Sequence, residues 1–155
     1  MADVLTPEQR SRCMSRIRAK NTAPELVVRS MAHRMGYRFR LHSRRLPGTP
    51  DLVFPRLRKA VFVQGCFWHM HRCKYGIVTP ATRAAFWRTK RKQNVDRDRR
   101  NLRALRKLGW SVLIIWECDI RHRLSVVERK LAAFLGTRGG PRHQSRAHLS
   151  REGGS

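Results

Sequence analysis

The chain has 155 residues, with 35 Lys and Arg against 10 Asp and Glu, and a formal net charge of +25. Its length suits a single compact domain, and no apolar run is long enough to span a bilayer. No export signal follows Met1, and no amphipathic anchor suggests a membrane surface, so we expect a cytoplasmic protein with reduced thiols. The excess positive charge indicates a polyanionic partner, for which nucleic acid is the leading candidate.

Two helix-start signals occur near the N-terminus. Thr6 precedes Pro7 and an arginine-rich stretch, and residues 1–20 are interpreted as a basic helix or arm that contacts DNA. Thr22 repeats the signal and predicts a second helix that ends at Gly36. The predicted apolar stripe of this second helix consists of Leu26, Val27, Ser30, Met31 and Met35.

A pattern typical of strands follows. Residues 37–41 alternate between apolar and polar side chains, which predicts a half-buried strand, and residues 51–54 and 60–64 predict two more. Because only turn signals separate these segments, we expect the three strands to form a meander.

The C-terminal half returns to helix. Residues 82–108 have the composition of a long basic helix, and residues 110–116 are apolar on both faces, which predicts a central strand. Residues 125–135 predict a closing helix, so the folded domain is expected to span residues 21–135 as an α/β sandwich around a small mixed sheet. Residues 136–155 contain little to bury and are expected to be disordered.

The nine residues GCFWHMHRC, 65–73, contain three soft metal ligands. Cys66, His71 and Cys73 can point at a common centre from a tight loop, and Cys118, at the end of an apolar run, is the expected fourth ligand. Four such ligands predict a tetrahedral structural zinc site. Two alternatives remain open: the residues could be packing elements, or the cysteines could form disulfides, although reduced thiols favour a metal.

Acidic residues are scarce, so those in core-like contexts need an explanation. Asp51 begins an apolar strand and is interpreted either as a turn aspartate or as a Mg²⁺ ligand. Glu25 is either a favourable charge at a helix N-terminus or an acid near the metal. Asp98 lies on the inward line of the basic helix, where an ion pair with Arg or Lys is favoured over an orienting contact to His69.

His69 and the nearby aromatic residues carry two further hypotheses. A rigid metal loop would hold the His69 imidazole as a general base, although an exposed or supporting histidine is equally compatible with the sequence. Burial is the default expectation for Phe86. Phe67 and Trp68 lie in a loop with little room to bury both, and they are interpreted as wedges that enter a base stack.

Five motifs resemble those of the very-short-patch mismatch-repair endonucleases of bacteria, and the similarity runs over about residues 6–135. They are LPGTPD (46–51), VFVQGCFWHMHRC (61–73), PATRAAFW (80–87), NVDRDRR (94–100) and LGWSVLIIWEC (108–118). The resemblance implies a restriction-endonuclease-like, PD-(D/E)XK-type three-layer sandwich with a central mixed sheet. It also implies a Mg²⁺-dependent nick 5′ to the thymine of a T:G mismatch, the first step in repairing deaminated 5-methylcytosine.

The resemblance assigns roles by motif. Asp51 and the backbone carbonyl of Val63 would bind Mg²⁺, His69 would activate water, and Asp98 would pair with His69, which reverses the preference for an ion pair. Glu25 matches a supporting acidic position. Cys66, His71, Cys73 and Cys118 would bind Zn²⁺, and Phe67, Trp68 and Trp87 would wedge beside the mismatch. Gln64 departs from relatives that often carry a histidine or an acid there, and is expected to contact DNA through its neutral amide.

Remaining expectations concern partners. The substrate would be double-stranded DNA with a T:G mismatch, other mismatch-repair proteins are candidate partners, and a nucleoid-associated monomer is the default state. The rival hypothesis is a zinc-stabilised, non-catalytic nucleic-acid-binding protein, which explains the charge and the cysteines but not Asp51, His69 and Asp98.

Overall fold

The computed structural model describes residues 21–136, which form a mixed α/β structure. The predicted N-terminal arm and all of the predicted disordered tail except Gly136 lie outside the described residues. The elements are α1 (Ala23–Arg34), β1 (Arg40–Leu41), β2 (Leu52–Phe54), a 3₁₀ turn (Pro55–Leu57), β3 (Lys59–Gln64), α2 (Ala84–Lys107), β4 (Ser111–Trp116), α3 (Glu117–His122) and α4 (Leu124–Leu135). Among the described residues, no helix is both long and apolar enough to cross a membrane.

Helix α1 begins as predicted but buries a different face. The Thr22 hydroxyl accepts a hydrogen bond from the Glu25 backbone N–H at 3.4 Å, which caps the helix. Val28, Met31 and Ala32 are buried, whereas Leu26 of the predicted stripe is 47% exposed. The predicted stripe is wrong at Leu26, because the buried face of the helix is the one that carries Val28 and Ala32. Glu25 lies three and seven residues before Val28 and Ala32, and is therefore carried inward with them.

The predicted mixed sheet is confirmed, with strand order β1-β2-β3-β4. β1, β2 and β3 pair antiparallel as a meander, and β3 pairs parallel with β4. The first predicted strand is shorter than expected: only residues 40–41 join the ladder. Tyr37 instead turns into the core, where its hydroxyl donates to the Leu135 carbonyl at 2.8 Å.

β4 was predicted to be central and lies at one end of the described sheet. Its apolar character has another cause, since both α2 and α4 contact this strand. The six-residue helix α3 follows β4 directly and was missed, because Cys118 was read as the end of the strand. Cys118, the fourth predicted zinc ligand, lies in the first turn of this helix.

The main core lies between α1, α4 and one face of the sheet. Its buried members include Val28, Met31, Tyr37, Leu52, Phe54, Val61, Ile115, Val127, Leu131 and Leu135. Alternate strand residues point to opposite faces, so Phe62 points away from this cluster. Asn101 of α2 and Phe62 both approach Gly48, which puts α2 on the second face. Leu105 of α2 is buried, whereas Leu108 of the predicted apolar line is exposed.

Candidate active site and metal-ligand clusters

The parallel pairing of β3 and β4 brings two cysteines together. Gln64 lies opposite Trp116 at the end of this pair, and Cys66 and Cys118 follow two residues beyond each. The Cys118 backbone N–H donates to the Cys66 sulfur at 3.4 Å, and both side chains are buried. Strand register therefore supplies half of the predicted zinc ligand set.

The loop after β3 supplies the other half. The His71 backbone N–H donates to the Cys66 carbonyl at 3.0 Å, and the His71 ring stacks on Trp116 with centroids 4.1 Å apart. Gly76 permits the tight return, since a Cβ there would lie 1.9 Å from the His71 carbonyl oxygen. The ligand atoms of Cys66, His71, Cys73 and Cys118 all lie within 4.8 Å of one another.

This donor set fits a tetrahedral metal. Zn–S bonds of about 2.3 Å would place the sulfurs of a tetrahedral site about 3.8 Å apart, within the observed spacing. Burial raises the pKa of the Cys66 thiol to about 12 and also raises the pKa of Cys118. For Cys73, burial also acts to raise the pKa, but hydrogen bonds from the backbone N–H groups of Gly76 and Tyr75 lower it overall. Without a cation the buried thiols of Cys66 and Cys118 stay protonated, so metal binding would release protons from them.

Helix α2 holds the same loop from the other side. Arg91, Asn94 and Asp98 lie at positions i, i+3 and i+7 and share one helix face. Arg91 is only 2% exposed, and its guanidinium donates to the carbonyls of Phe67 (2.6 Å), Val78 (2.9 Å) and Gly76. Asn94 donates to the Trp68 carbonyl at 3.2 Å.

Asp98, the third residue of this helix face, contacts the loop through His69. Its carboxylate is hydrogen-bonded to His69 Nδ1, and both side chains are about a fifth exposed. The structure therefore brings together the two residues that the resemblance pairs. Arg91 was missed, although a signal was present: it lies seven residues before Asp98 on the inward line of the helix.

A single cleft of about 680 Å³ collects most of the predicted catalytic residues. Asp51 enters it at the start of β2, where its Oδ2 accepts a hydrogen bond from the Val63 backbone N–H at 2.7 Å. The lining residues include Asp51, Val63, Gln64, His69, Asp98, His42, Arg44, Arg97 and Asn101. The carboxylate and the imidazole–carboxylate pair thus face the same volume.

Glu25 and His42 form a second group beside Asp51. Glu25 is 2% exposed, and its Oε1 lies 2.8 Å from His42 Nε2. The same nitrogen lies 4.0 Å from Asp51 Oδ1. His42 was not singled out from the sequence, because it directly follows the predicted strand 37–41 as one polar residue among many. Strand pairing places His42 next to Asp51, since the His42 backbone N–H donates to the Asp51 carbonyl at 3.2 Å.

The two acids have opposite pKa shifts. Burial, together with the nearby Glu25 carboxyl, raises the pKa of Asp51 to about 7, against the opposing effect of the Val63 N–H. Burial also acts to raise the pKa of Glu25, but hydrogen bonds with Asp51 and His42 and the charge of Arg29 lower it overall. Near neutral pH the pair therefore holds a proton that a bound cation would displace.

The predicted wedge residues form one aromatic cluster. Phe67, Trp68 and Trp87 contact one another edge to face, with ring centroids 5.3–5.8 Å apart, and all three are partly exposed. Phe86 was expected to be buried and is instead 43% exposed. It lies in the first turn of α2, where Arg83 covers its ring and Trp87 contacts its edge.

Comparison with known proteins gives the same identification as the motifs. The family model described as DNA mismatch endonuclease Vsr matches residues 2–75. The chain is 47% identical over 135 residues to the type II nicking enzyme V.XorIIP of Xanthomonas oryzae pv. oryzae, covering 87% of this chain and 98% of that protein. It is 44% identical over 135 residues to the DNA mismatch endonuclease Vsr of Escherichia coli K12, covering 87% and 86%.

A third relative is the type II nicking enzyme V.NmeAIP of Neisseria meningitidis, 36% identical over 129 residues, covering 83% of this chain and 91% of that protein. One of these relatives is a DNA mismatch endonuclease by name, and the other two are type II nicking enzymes by name. The chain belongs to the Vsr family of DNA mismatch endonucleases, and the resemblance predicted from the five motifs is confirmed.

Proposed function

We propose that this endonuclease nicks double-stranded DNA 5′ to the thymine of a T:G mismatch and so starts very short patch repair of deaminated 5-methylcytosine. The observation that carries the proposal is the shared cleft, in which Asp51 and the His69–Asp98 pair face the same volume. Helices on both faces of a mixed sheet support a restriction-endonuclease-like fold of the PD-(D/E)XK type. The name of the Escherichia coli relative supports mismatched DNA as the substrate.

His69 is proposed as the general base. Asp98 accepts the hydrogen bond from Nδ1–H, so Nε2 keeps its lone pair and can take a proton from the attacking water. The imidazolium that forms is stabilised by the same carboxylate. General-base catalysis of this kind contributes roughly 10² to 10⁴ in rate.

Asp51 is proposed to hold Mg²⁺, with the backbone carbonyl of Val63 as a second oxygen donor and Glu25 as a supporting acid. The donor chemistry fits, because Mg²⁺ binds through one or two carboxylates together with substrate phosphates. When bound, this ion neutralises charge on the scissile phosphate. The chain's own contribution is the Val63 N–H, which fixes the orientation of the Asp51 carboxylate.

The cysteine–histidine cluster is proposed to hold Zn²⁺ in a structural role. Four protein ligands leave no open position, so zinc would supply rigidity rather than Lewis acidity. This rigidity matters because His69 lies in the chain between Cys66 and His71.

Recognition is proposed to use the aromatic cluster and the rim of the cleft. Inserting Phe67, Trp68 and Trp87 beside a base step costs a few kcal/mol of unstacking, and less at a mismatch, so the wedge favours weakened pairs. Gln64 lines the cleft and offers an amide to the DNA, while Arg44 and Arg97 supply positive charge there.

A nicking assay tests the proposal. Duplexes with T:G, T:A and the other mismatches in varied flanks are incubated with the full chain and Mg²⁺, and only the T:G duplex should be nicked rapidly. Asp51→Asn should abolish nicking and retain DNA binding, whereas the matched control Asp96→Asn should nick normally. Equal cutting of T:G and T:A would refute mismatch selectivity, and full activity of Asp51→Asn would refute the metal assignment.

A further inference from the structure

The group formed by Glu25, His42 and Asp51 has the spacing of a cation site with a nitrogen donor. His42 Nε2 lies 2.8 Å from Glu25 Oε1 and 4.0 Å from Asp51 Oδ1. Octahedral coordination with bonds of about 2.1 Å separates neighbouring ligand atoms by about 3.0 Å and opposite ones by about 4.2 Å. The observed distances lie within a few tenths of an ångström of these values, and all three ligand atoms lie within 4.8 Å of one another.

Contacts with neighbouring residues orient the ligand atoms of Glu25, His42 and Asp51 towards one another. Glu25 Oε2 accepts a hydrogen bond from the Asn21 backbone N–H at 2.9 Å and pairs with Arg29, so Oε1 is the oxygen beside His42. The backbone of His42 is fastened to that of Asp51 by the strand pairing described above. Arg29 also lies 3.4 Å from His42 Nε2, a long contact that a cation would replace at small cost.

We propose that His42 is a metal ligand in this cleft, so that the site binds first-row transition ions such as Mn²⁺ through two carboxylates and one imidazole, in addition to Mg²⁺. This inference deepens the proposed function, since it rests on Asp51 as the metal-binding acid. Mg²⁺ prefers oxygen donors, whereas imidazole nitrogen raises the affinity for first-row transition ions. His42 therefore widens the choice of cation beyond that of an all-oxygen site.

Pulsed electron paramagnetic resonance of Mn²⁺ tests this directly. The full chain, loaded with one equivalent of Zn²⁺ to fill the cysteine cluster, is titrated with Mn²⁺ alone, and modulation from a directly bound ¹⁴N nucleus is recorded. We expect ¹⁴N modulation in the native chain, loss of it in His42→Gln, and retention in His69→Gln, which removes the other imidazole of the cleft. Gln preserves a side chain that can donate to Glu25, and retained zinc content and urea midpoint show that the variant is folded.

Affinity gives a second readout. His42→Gln should weaken Mn²⁺ binding by about tenfold or more, while Mg²⁺ binding should change by less than about threefold. The absence of ¹⁴N modulation in the native chain, or modulation that survives His42→Gln and disappears in His69→Gln, would overturn the inference. Nicking of T:G duplexes with Mg²⁺ but no Mn–nitrogen coupling would support the proposed function and refute only the role of His42 as a metal ligand. Coupling without nicking would support the ligand and refute the proposed function.

Discussion

Arg91→Met tests whether the buried guanidinium of α2 holds the metal loop. The substitution keeps a similar length and removes donors to three carbonyls, those of Phe67, Gly76 and Val78. An unpaired buried carbonyl costs about 1–3 kcal/mol. Gly76 is buried and Phe67 half-buried, while Val78 is 54% exposed and water can replace its bond. Loss of the guanidinium over the Phe67 ring adds about 1 kcal/mol.

These contributions reduce the free energy of unfolding by about 3–5 kcal/mol, after allowing for the relieved cost of burying a charge. Urea unfolding of the zinc-loaded chain measures the change. Arg88→Met is the matched control, because Arg88 is exposed on the same helix and its loss should change the stability by no more than about 0.5 kcal/mol. If Arg91→Met lost less than about 1 kcal/mol, the guanidinium would not be holding the loop, and the reasoning would fail.

Four further predictions concern the reaction and its metals. Asp98→Asn should lower the single-turnover nicking rate by about 10² or more, because His69 loses the partner that fixes its tautomer; an unchanged rate would exclude that role. Because the pKa of Asp51 is raised to about 7, protons compete with Mg²⁺ below that pH and the carboxylate is free above it. The apparent Mg²⁺ affinity should therefore fall about fivefold from pH 7 to pH 6 and level off at higher pH, as titrated by calorimetry; a flat profile would contradict the shift. Trp68→Ala should reduce the ratio of T:G to T:A nicking while leaving Mg²⁺ affinity unchanged, and an unaltered ratio would argue against the wedge. Removing zinc with a chelator should lower the nicking rate by a larger factor than the Mg²⁺ affinity. A larger loss of Mg²⁺ affinity than of nicking rate would contradict the structural role of the cluster.

The sequence predicted those parts of the site whose chemistry is unusual. Three cysteines and a histidine with no finger spacing indicated a metal cluster, and Asp51, an acid at the start of an apolar strand, was a candidate Mg²⁺ ligand. Element order was also predictable, because the hydrophobic period changes from helical to alternating after Gly36 and back again near residue 82.

Residues that depend on tertiary placement were missed. His42 has no significance in the strand pattern until antiparallel pairing sets it beside Asp51. Arg91 resembles the other arginines of α2 until the loop folds over it. The central position predicted for β4 from its two apolar faces is wrong, because helices cover a strand that lies at one end of the described sheet. An apolar sequence indicates that a segment is buried, but it does not indicate which elements cover it.

The proposed metal-binding carboxylate, Asp51, and the proposed general base, His69, depend on different parts of the fold. Asp51 is oriented by the Val63 N–H, so its position is set by the pairing within the sheet. His69 lies in the loop after β3, and that loop is fixed at one end by the sulfur cluster and along its length by Arg91, Asn94 and Asp98. Loss of the proposed zinc ion or of Arg91 would therefore move the His69 imidazole while the Asp51 carboxylate keeps its position. The same separation explains why a metal-binding readout and a rate readout should respond differently to damage in the loop.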